Sequence, residues 1–158
     1  MSIFTLRREQ FLPINIKECW DFFSDPNNLK LITPPSLGLK ICSKINRELY
    51  EGMIISYKIN PFPGITTTWV TEITHIKKHE YFIDEQRIGP YKFWHHQHFF
   101  KKQDNGIMAE DVVNYALPFG PIGNLLNSIY ISKNLDNIFN YRENELKSIF
   151  NTNEKHNK

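Results

Sequence analysis

The chain lacks most of the features that assign a protein to a class at a glance. Only two of its 158 residues are cysteines, Cys19 and Cys42, which excludes a disulfide-stapled scaffold. Each falls in an apolar or patterned segment, where a free cysteine is expected to act as a small buried hydrophobe. No run of 18 apolar residues occurs, so no membrane span is expected. The opening residues reach Arg7 and Arg8 without the apolar stretch of a secretory leader, and a cytoplasmic protein is expected. Positive charge is nowhere dense. Lys and Arg number 19 against 17 Asp and Glu, a net charge of +2, and Lys77-Lys78 and Lys101-Lys102 are isolated pairs. Nucleic-acid binding needs a denser basic stripe and is set aside. There is no G-x-x-x-x-G-K-[ST] loop, and Gly120-Pro121-Ile122-Gly123 lacks the strand–glycine–helix context of a dinucleotide fingerprint. A G-x-S-x-G nucleophile turn is missing as well.

Aromatic residues are plentiful. They make up 14% of the chain, as 12 Phe, 7 Tyr and 3 Trp. Rings supply large apolar area at low rotamer cost, and they serve a solid core and a lined pocket equally well. The overall balance, 41% hydrophobic and 23% charged, is that of a globular chain.

Patterning gives the order of elements. Residues 2–12 alternate as a first strand that ends at Pro13, with Phe4, Leu6, Arg8, Gln10 and Leu12 on one face. Asn15 followed by Glu18, between Ile14 and Cys19, forms a helix-start signal. Asp25-Pro26 opens a second short helix, closed by Thr33-Pro34-Pro35. From 37 to 117 the period is two, the mark of antiparallel strands with one face on a core. Turns are expected at 46–52, 60–64, 77–80, 89–90 and 104–106. Beyond Pro118-Phe119-Gly120-Pro121 the period becomes helical. Ile122, Leu125, Leu126, Ile129, Leu135, Ile138, Phe139, Arg142, Leu146, Ile149 and Phe150 mark one face of a helix of about eight turns, with an interruption at Ser132-Lys133-Asn134. Residues 151–158 are polar, a frayed tail. One domain, 1–150, is expected.

With these elements in place the sequence resembles the START/Bet v 1-like (SRPBCC) superfamily over roughly residues 2–150. It is most similar to a bacterial branch of small ligand-binding proteins related to polyketide cyclase/dehydrase proteins. The resemblance is carried by Phe82-x-Asp84-x-Gln86-x-x-Gly89-Pro90-Tyr91, Trp94-x-His96-x-His98-x-Phe100, Asp111-x-Val113-x-Tyr115 and Pro118-Phe119-Gly120. Cys19-Trp20-Asp21-Phe22-Phe23 and Ile32-Thr33-Pro34-Pro35 also fit. It implies an α+β helix-grip fold: about seven curved antiparallel strands around a long C-terminal helix, two short helices after the first strand, and an apolar cavity between sheet and helix. The same fold serves lipid carriers, aromatase/cyclases and chaperone activators, so it does not choose a function.

The polar residues inside this pattern are the candidates for function. Asp111 shares a strand face with Ala109, Val113, Tyr115 and Leu117, which turns it inward, where a carboxylate needs a partner. Trp94, His96, His98 and Phe100 share one face of the preceding strand, and Phe93, His95, Gln97 and Phe99 the other. Both faces are mixed, and periodicity leaves the inward one open. With the first set inward, His96 or His98 meets Asp111 across the hairpin, and Asp84 and Gln86 join from the next strand. Facing Cβ atoms then lie about 4.5–5.5 Å apart. Such a cluster serves as a buried structural network, as a recognition site for a ligand's polar head, or as a general acid/base pair. His96 and His98 with Asp84 or Asp111 also offer three metal ligands, but two histidines at i and i+2 form a weak motif, and no metal or cofactor is expected. Tyr57 and Trp69 are expected to line the pocket, together with Asp84, Gln86, Trp94, His96, His98, Asp111 and Tyr115.

The leading reading is binding or carriage of a hydrophobic small molecule of the lipid, polyketide or isoprenoid class. The alternative is a cyclase, dehydratase or hydrolase using His96 or His98 with Asp111. A protein-interaction module such as a chaperone activator is third, since it needs a large exposed apolar patch that the strand alternation does not show. Oligomeric state is not legible.

Overall fold

The computed structural model describes residues 2–45, 48–62 and 64–151. Seven strands form one antiparallel sheet: β1 (Phe4–Leu12), β2 (Lys40–Ile41), β3 (Ile54–Phe62), β4 (Ile65–Lys77), β5 (Tyr81–Ile88), β6 (Phe93–Gln103) and β7 (Gly106–Ala116). Their order across the sheet is β1-β7-β6-β5-β4-β3-β2. β3 to β7 run as a meander of consecutive hairpins, and β1 closes onto β7. Register breaks between Ile59 and Phe62, Val70 and Thr71, and Ile73 and His75 bend the long strands, as bulges do.

The segment between β1 and β2 obeys its start signals. The Asn15 side chain accepts a hydrogen bond from the Glu18 amide at 2.9 Å and caps α1 (Ile16–Phe23). Asp25 caps a 3₁₀ helix, Pro26–Ile32, in the same way. These are the two short helices expected. Cys19 and Trp20 turn their side chains into the core from α1. Cys42 is exposed, contrary to the expectation of burial, because the strand expected over 37–45 shrinks to Lys40–Ile41. A 3₁₀ turn runs through Leu37, and Gly38 follows with φ 54°. A Cβ there would come within 2.6 Å of Asn60 Nδ2, and the left-handed backbone at Gly38 interrupts an extended run at that point.

The C-terminal helix is long but not continuous. α2 (Gly120–Leu126) runs into a π-turn, Asn127–Ile131, before α3 (Ser132–Asn151). The interruption read at Ser132-Lys133-Asn134 therefore falls one element earlier. A π-turn takes up an extra residue and resets the helical phase. Ile122, Leu125 and Ile129 are accordingly exposed, whereas Ile131, Leu135, Phe139, Leu146 and Phe150 are buried against the sheet. The tail 152–158 lies outside the described residues. Among them no helix is long and apolar enough to cross a membrane.

α3 is gripped by the concave face. Gln10 on β1 donates to the Glu143 carbonyl at 3.0 Å, and Arg8 pairs with Asp136. One buried cluster gathers Leu12, Cys19, Trp20, Ile55, Phe82, Ile107, Leu146 and Phe150. Another gathers Trp94, Val113, Tyr115, Ile131, Leu135 and Phe139. At the β6–β7 turn a Cβ on Gly106 would meet the Leu12 carbonyl at 2.3 Å, so glycine lets β1 close over the hairpin. The Asn15 cap is the simplest local device to test. Asn15→Ala is expected to lower unfolding free energy in urea by about 1 kcal/mol.

Candidate functional site

The sheet register decides the face that periodicity left open. On β6, Trp94, His96, His98 and Phe100 are buried and point inward. His98 stands opposite Asp111 on β7, and His96 opposite Asp84 on β5. Three adjacent strands therefore place two imidazoles and two carboxylates in one patch of the concave face.

The four groups form a closed ring. His96 Nε2 lies 3.0 Å from Asp111 Oδ1, and His98 Nε2 lies 3.0 Å from Asp84 Oδ2. His98 Nδ1 approaches Asp111 Oδ1 at 2.8 Å but is not aligned for a hydrogen bond. His96 Nδ1 lies 3.6 Å from Asp84 Oδ2, beyond hydrogen-bond distance. The imidazoles lean on each other with centroids 3.8 Å apart, and His98 stacks on Phe82 at 4.2 Å. Arg142, from α3, brings its guanidinium to 3.6 Å from Asp111 Oδ1.

Burial and neighbours move the two histidines in opposite directions. Burial lowers His96 from its ordinary value of 6.5, the charge of His98 lowers it further, and the contacts with Asp111 and Asp84 do not make up the difference. Burial also works against His98, but the close carboxylates of Asp111 and Asp84 outweigh it and raise that pKa. Burial would raise Asp111; the Arg142 guanidinium and the two histidines outweigh it and hold the carboxyl well below the usual range. Between the two rings these shifts favour His98 as the holder of the extra proton. A carboxylate can only accept, so the His96 proton sits on Nε2, facing Asp111, and Nδ1 keeps its lone pair. With both carboxylates counted as ionised and His98 as protonated, His98 and Arg142 bring the net charge of the cluster to zero.

The ring forms one wall of a cavity of about 480 Å³ between the sheet, α1, the Pro26–Ile32 helix and α3. Tyr57, Trp69, Asp84, Trp94, His96 and His98 line it, with Phe22, Phe23, Leu135, Phe139 and Arg142 on the helical side. Trp69 and Trp94 meet edge to face at 5.1 Å. Burial raises the phenol of Tyr57, with Asp84 adding to the effect, so its hydroxyl stays a neutral donor. The remaining expected residues lie elsewhere. Asp111 sits behind the two histidines. Tyr115 packs its ring near Phe4, Tyr91 and Trp94. Gln86 is turned onto the next loop, donating to the Tyr91 carbonyl at 2.7 Å and accepting from its amide at 3.2 Å. The sequence pattern places Arg142 only in the helical stripe. A charged residue recurring at a core position between Phe139 and Leu146 is the signal that it belongs to the site.

Asp84, His96 and His98 each offer a donor atom within 4.8 Å of the others, a two-histidine, one-carboxylate set. Here those atoms are engaged chiefly with one another and with Asp111.

No family model matches the chain, and no curated protein matches it in sequence. Solved structures do match in fold. Protein Ms6760 from Mycobacterium smegmatis superposes with a TM-score of 0.67 at 16% identity, over 94% of this chain and 92% of that one. TTHA0849 from Thermus thermophilus gives 0.67 at 15%, over 92% and 98%. The di-domain ARO/CYC StfQ from the steffimycin biosynthetic pathway gives 0.69 at 9%, over 97% of this chain and 52% of that one.

The opposed histidines set the pH dependence of stability. His98 binds its proton more tightly when folded, so its contribution is full below 6.5 and is lost as pH rises through the folded value. His96 binds its proton less tightly when folded, so stability is lost as pH falls below 6.5. Melting temperature should therefore peak near pH 6.5. His98→Gln should flatten the alkaline limb and His96→Gln the acid limb just below 6.5. Parallel profiles for all three proteins would contradict the assignment. The fold is a helix-grip fold, a curved seven-stranded sheet around a long C-terminal helix with a cavity between them.

Proposed function

We propose that the protein takes an apolar, carbonyl-bearing small molecule into this cavity and moves a proton on it with His96 as general base. The carrying observation is that two touching histidines in the cavity wall are held by the same two carboxylates, a geometry that shifts them in opposite directions. Such a split separates acid and base roles in one site. Asp111 fixes the His96 proton on Nε2, and Nδ1 takes a proton from carbon next to the substrate carbonyl. The electron pair moves to the carbonyl oxygen, and the neutral Tyr57 hydroxyl supplies a donor for it. Returning the proton from His96 to another position completes an enolisation, the step that cyclisations and dehydrations of polyketide-like chains share. His98 stays between Asp84 and Asp111 while this happens. The motif run from Phe82 to Tyr115 supports a place in the bacterial small-ligand-binding branch related to polyketide cyclase/dehydrase proteins. The fold shared with an aromatase/cyclase points to the same substrate class. Two free thiols, one exposed, suit a reducing cytoplasm.

The mainly apolar wall favours a second reading, that of a carrier for which the ring is only a polar anchor. Deuterium exchange separates the two. With 2-tetralone in deuterium oxide, the wild-type protein should accelerate exchange next to the carbonyl, and His96→Gln should lose about 100-fold or more of that acceleration. The same variant should still quench on binding 2-tetralone, read from Trp69 and Trp94. Equal exchange by the two proteins, with binding intact, would leave the carrier.

A further inference from the structure

Arg142 stands in the cavity wall beside the histidines, yet the proton transfer makes no use of it. Its side chain is 10% exposed and sits at a core position of α3. Its guanidinium carbon lies 5.5 Å from the centre of the Phe23 ring and 5.7 Å from that of Phe139. Those two rings hold the plane of the guanidinium but accept nothing along its N–H bonds. Nε has no hydrogen-bond partner among the described residues. The ion pair with Asp111 is a single contact of 3.6 Å to an oxygen that both histidines also approach. A guanidinium carries five donors in a rigid fork and no acceptor, and a buried donor such as Nε left unpaired is costly.

We propose that Arg142 is the receptor for a carboxylate on the ligand, so that the cavity selects apolar monocarboxylic acids. A carboxylate matches the guanidinium fork with two parallel hydrogen bonds. Phe22 and Leu135 on the same wall take the hydrocarbon part. A single negative charge suits the site better than a phosphate, because the Arg142 guanidinium shares the wall with the Asp84 carboxylate. The placement on α3 also sets direction, since the acid end is fixed on the helix side and the rest of the molecule lies along the sheet toward Trp69 and Trp94. This rests on the cavity being the binding site proposed above, and makes Arg142 a specificity residue within it.

The test compares decanoate with methyl decanoate, which have the same chain and differ in charge, by quenching of Trp69 and Trp94 fluorescence at pH 7.5. Decanoate should bind roughly 10- to 100-fold more tightly, the effect of a charge-assisted contact in a closed site. Arg142→Met should abolish that preference by weakening decanoate alone, and Arg142→Lys should restore part of it. Equal affinity of the wild-type protein for acid and ester would overturn the assignment while leaving the cavity standing, and that comparison holds even where a variant does not fold. Failure of both probes to bind would remove the cavity reading and this inference with it.

Discussion

Two carboxylates bracket two adjacent imidazoles across three strands, and much of the architecture serves to keep that arrangement paired and dry. The ring exists only in one register. A slip of one residue between β6 and β7 would turn His96 and His98 to the outer face, leaving Asp111 inside without its partners. Removing one member of a buried charged cluster typically costs about 3–5 kcal/mol. The register is held at several points. The turn at Asp104-Asn105 sets the β6–β7 hairpin, Gly106 lets β1 approach it, and Gln86 ties the Pro90-Tyr91 loop to β5. Arg142 then brings from α3 the charge that the sheet does not supply.

The same dependence explains how the helix is divided. α3 carries the residues that touch the site and the core, and it is fastened to β1 through Asp136 and Glu143. The segment before it does something else. Between Asp111 and Lys133 the sequence holds no charged residue, and the π-turn rotates Ile122, Leu125 and Ile129 away from the face that Leu135 and Phe139 bury. Pro118 and Phe119 still reach the cavity, with Phe119 held at φ 70°. For a bulky side chain that is a strained conformation, so this end of the cavity is shaped by backbone geometry more than by close packing.

Most of the fold was legible because its signals are local. Period-two runs gave β3 to β7, Asn15 and Asp25 marked their helices, and the switch in period after Pro121 located the C-terminal helix. The failures were non-local. Residues 37–45 alternate like a strand, yet a 3₁₀ turn through Leu37 and the left-handed Gly38 stand where its first residues were expected, and only two residues pair. The apolar residues of α2 follow the helical stripe, but a π-turn breaks its phase. At the site, β6 has an aromatic and a histidine on both faces, so no periodicity could orient it. The orienting information lay in the neighbour: Asp111 faces inward, and counting back from a two-residue turn at Asp104-Asn105 places His98 opposite it. Arg142 was hidden differently, as a long side chain among apolar ones whose reach into the cavity depends on how α3 is rotated.

The central claim about the site is that two neighbouring rings of one chemistry hold their protons with opposite strength. Nitrogen-15 chemical shifts of the histidine rings, followed from pH 5 to 9, read this directly. His98 is predicted to titrate above 6.5 and His96 below it, with neutral His96 carrying its proton on Nε2. Both rings titrating together near 6.5, or His96 carrying its proton on Nδ1, would contradict it.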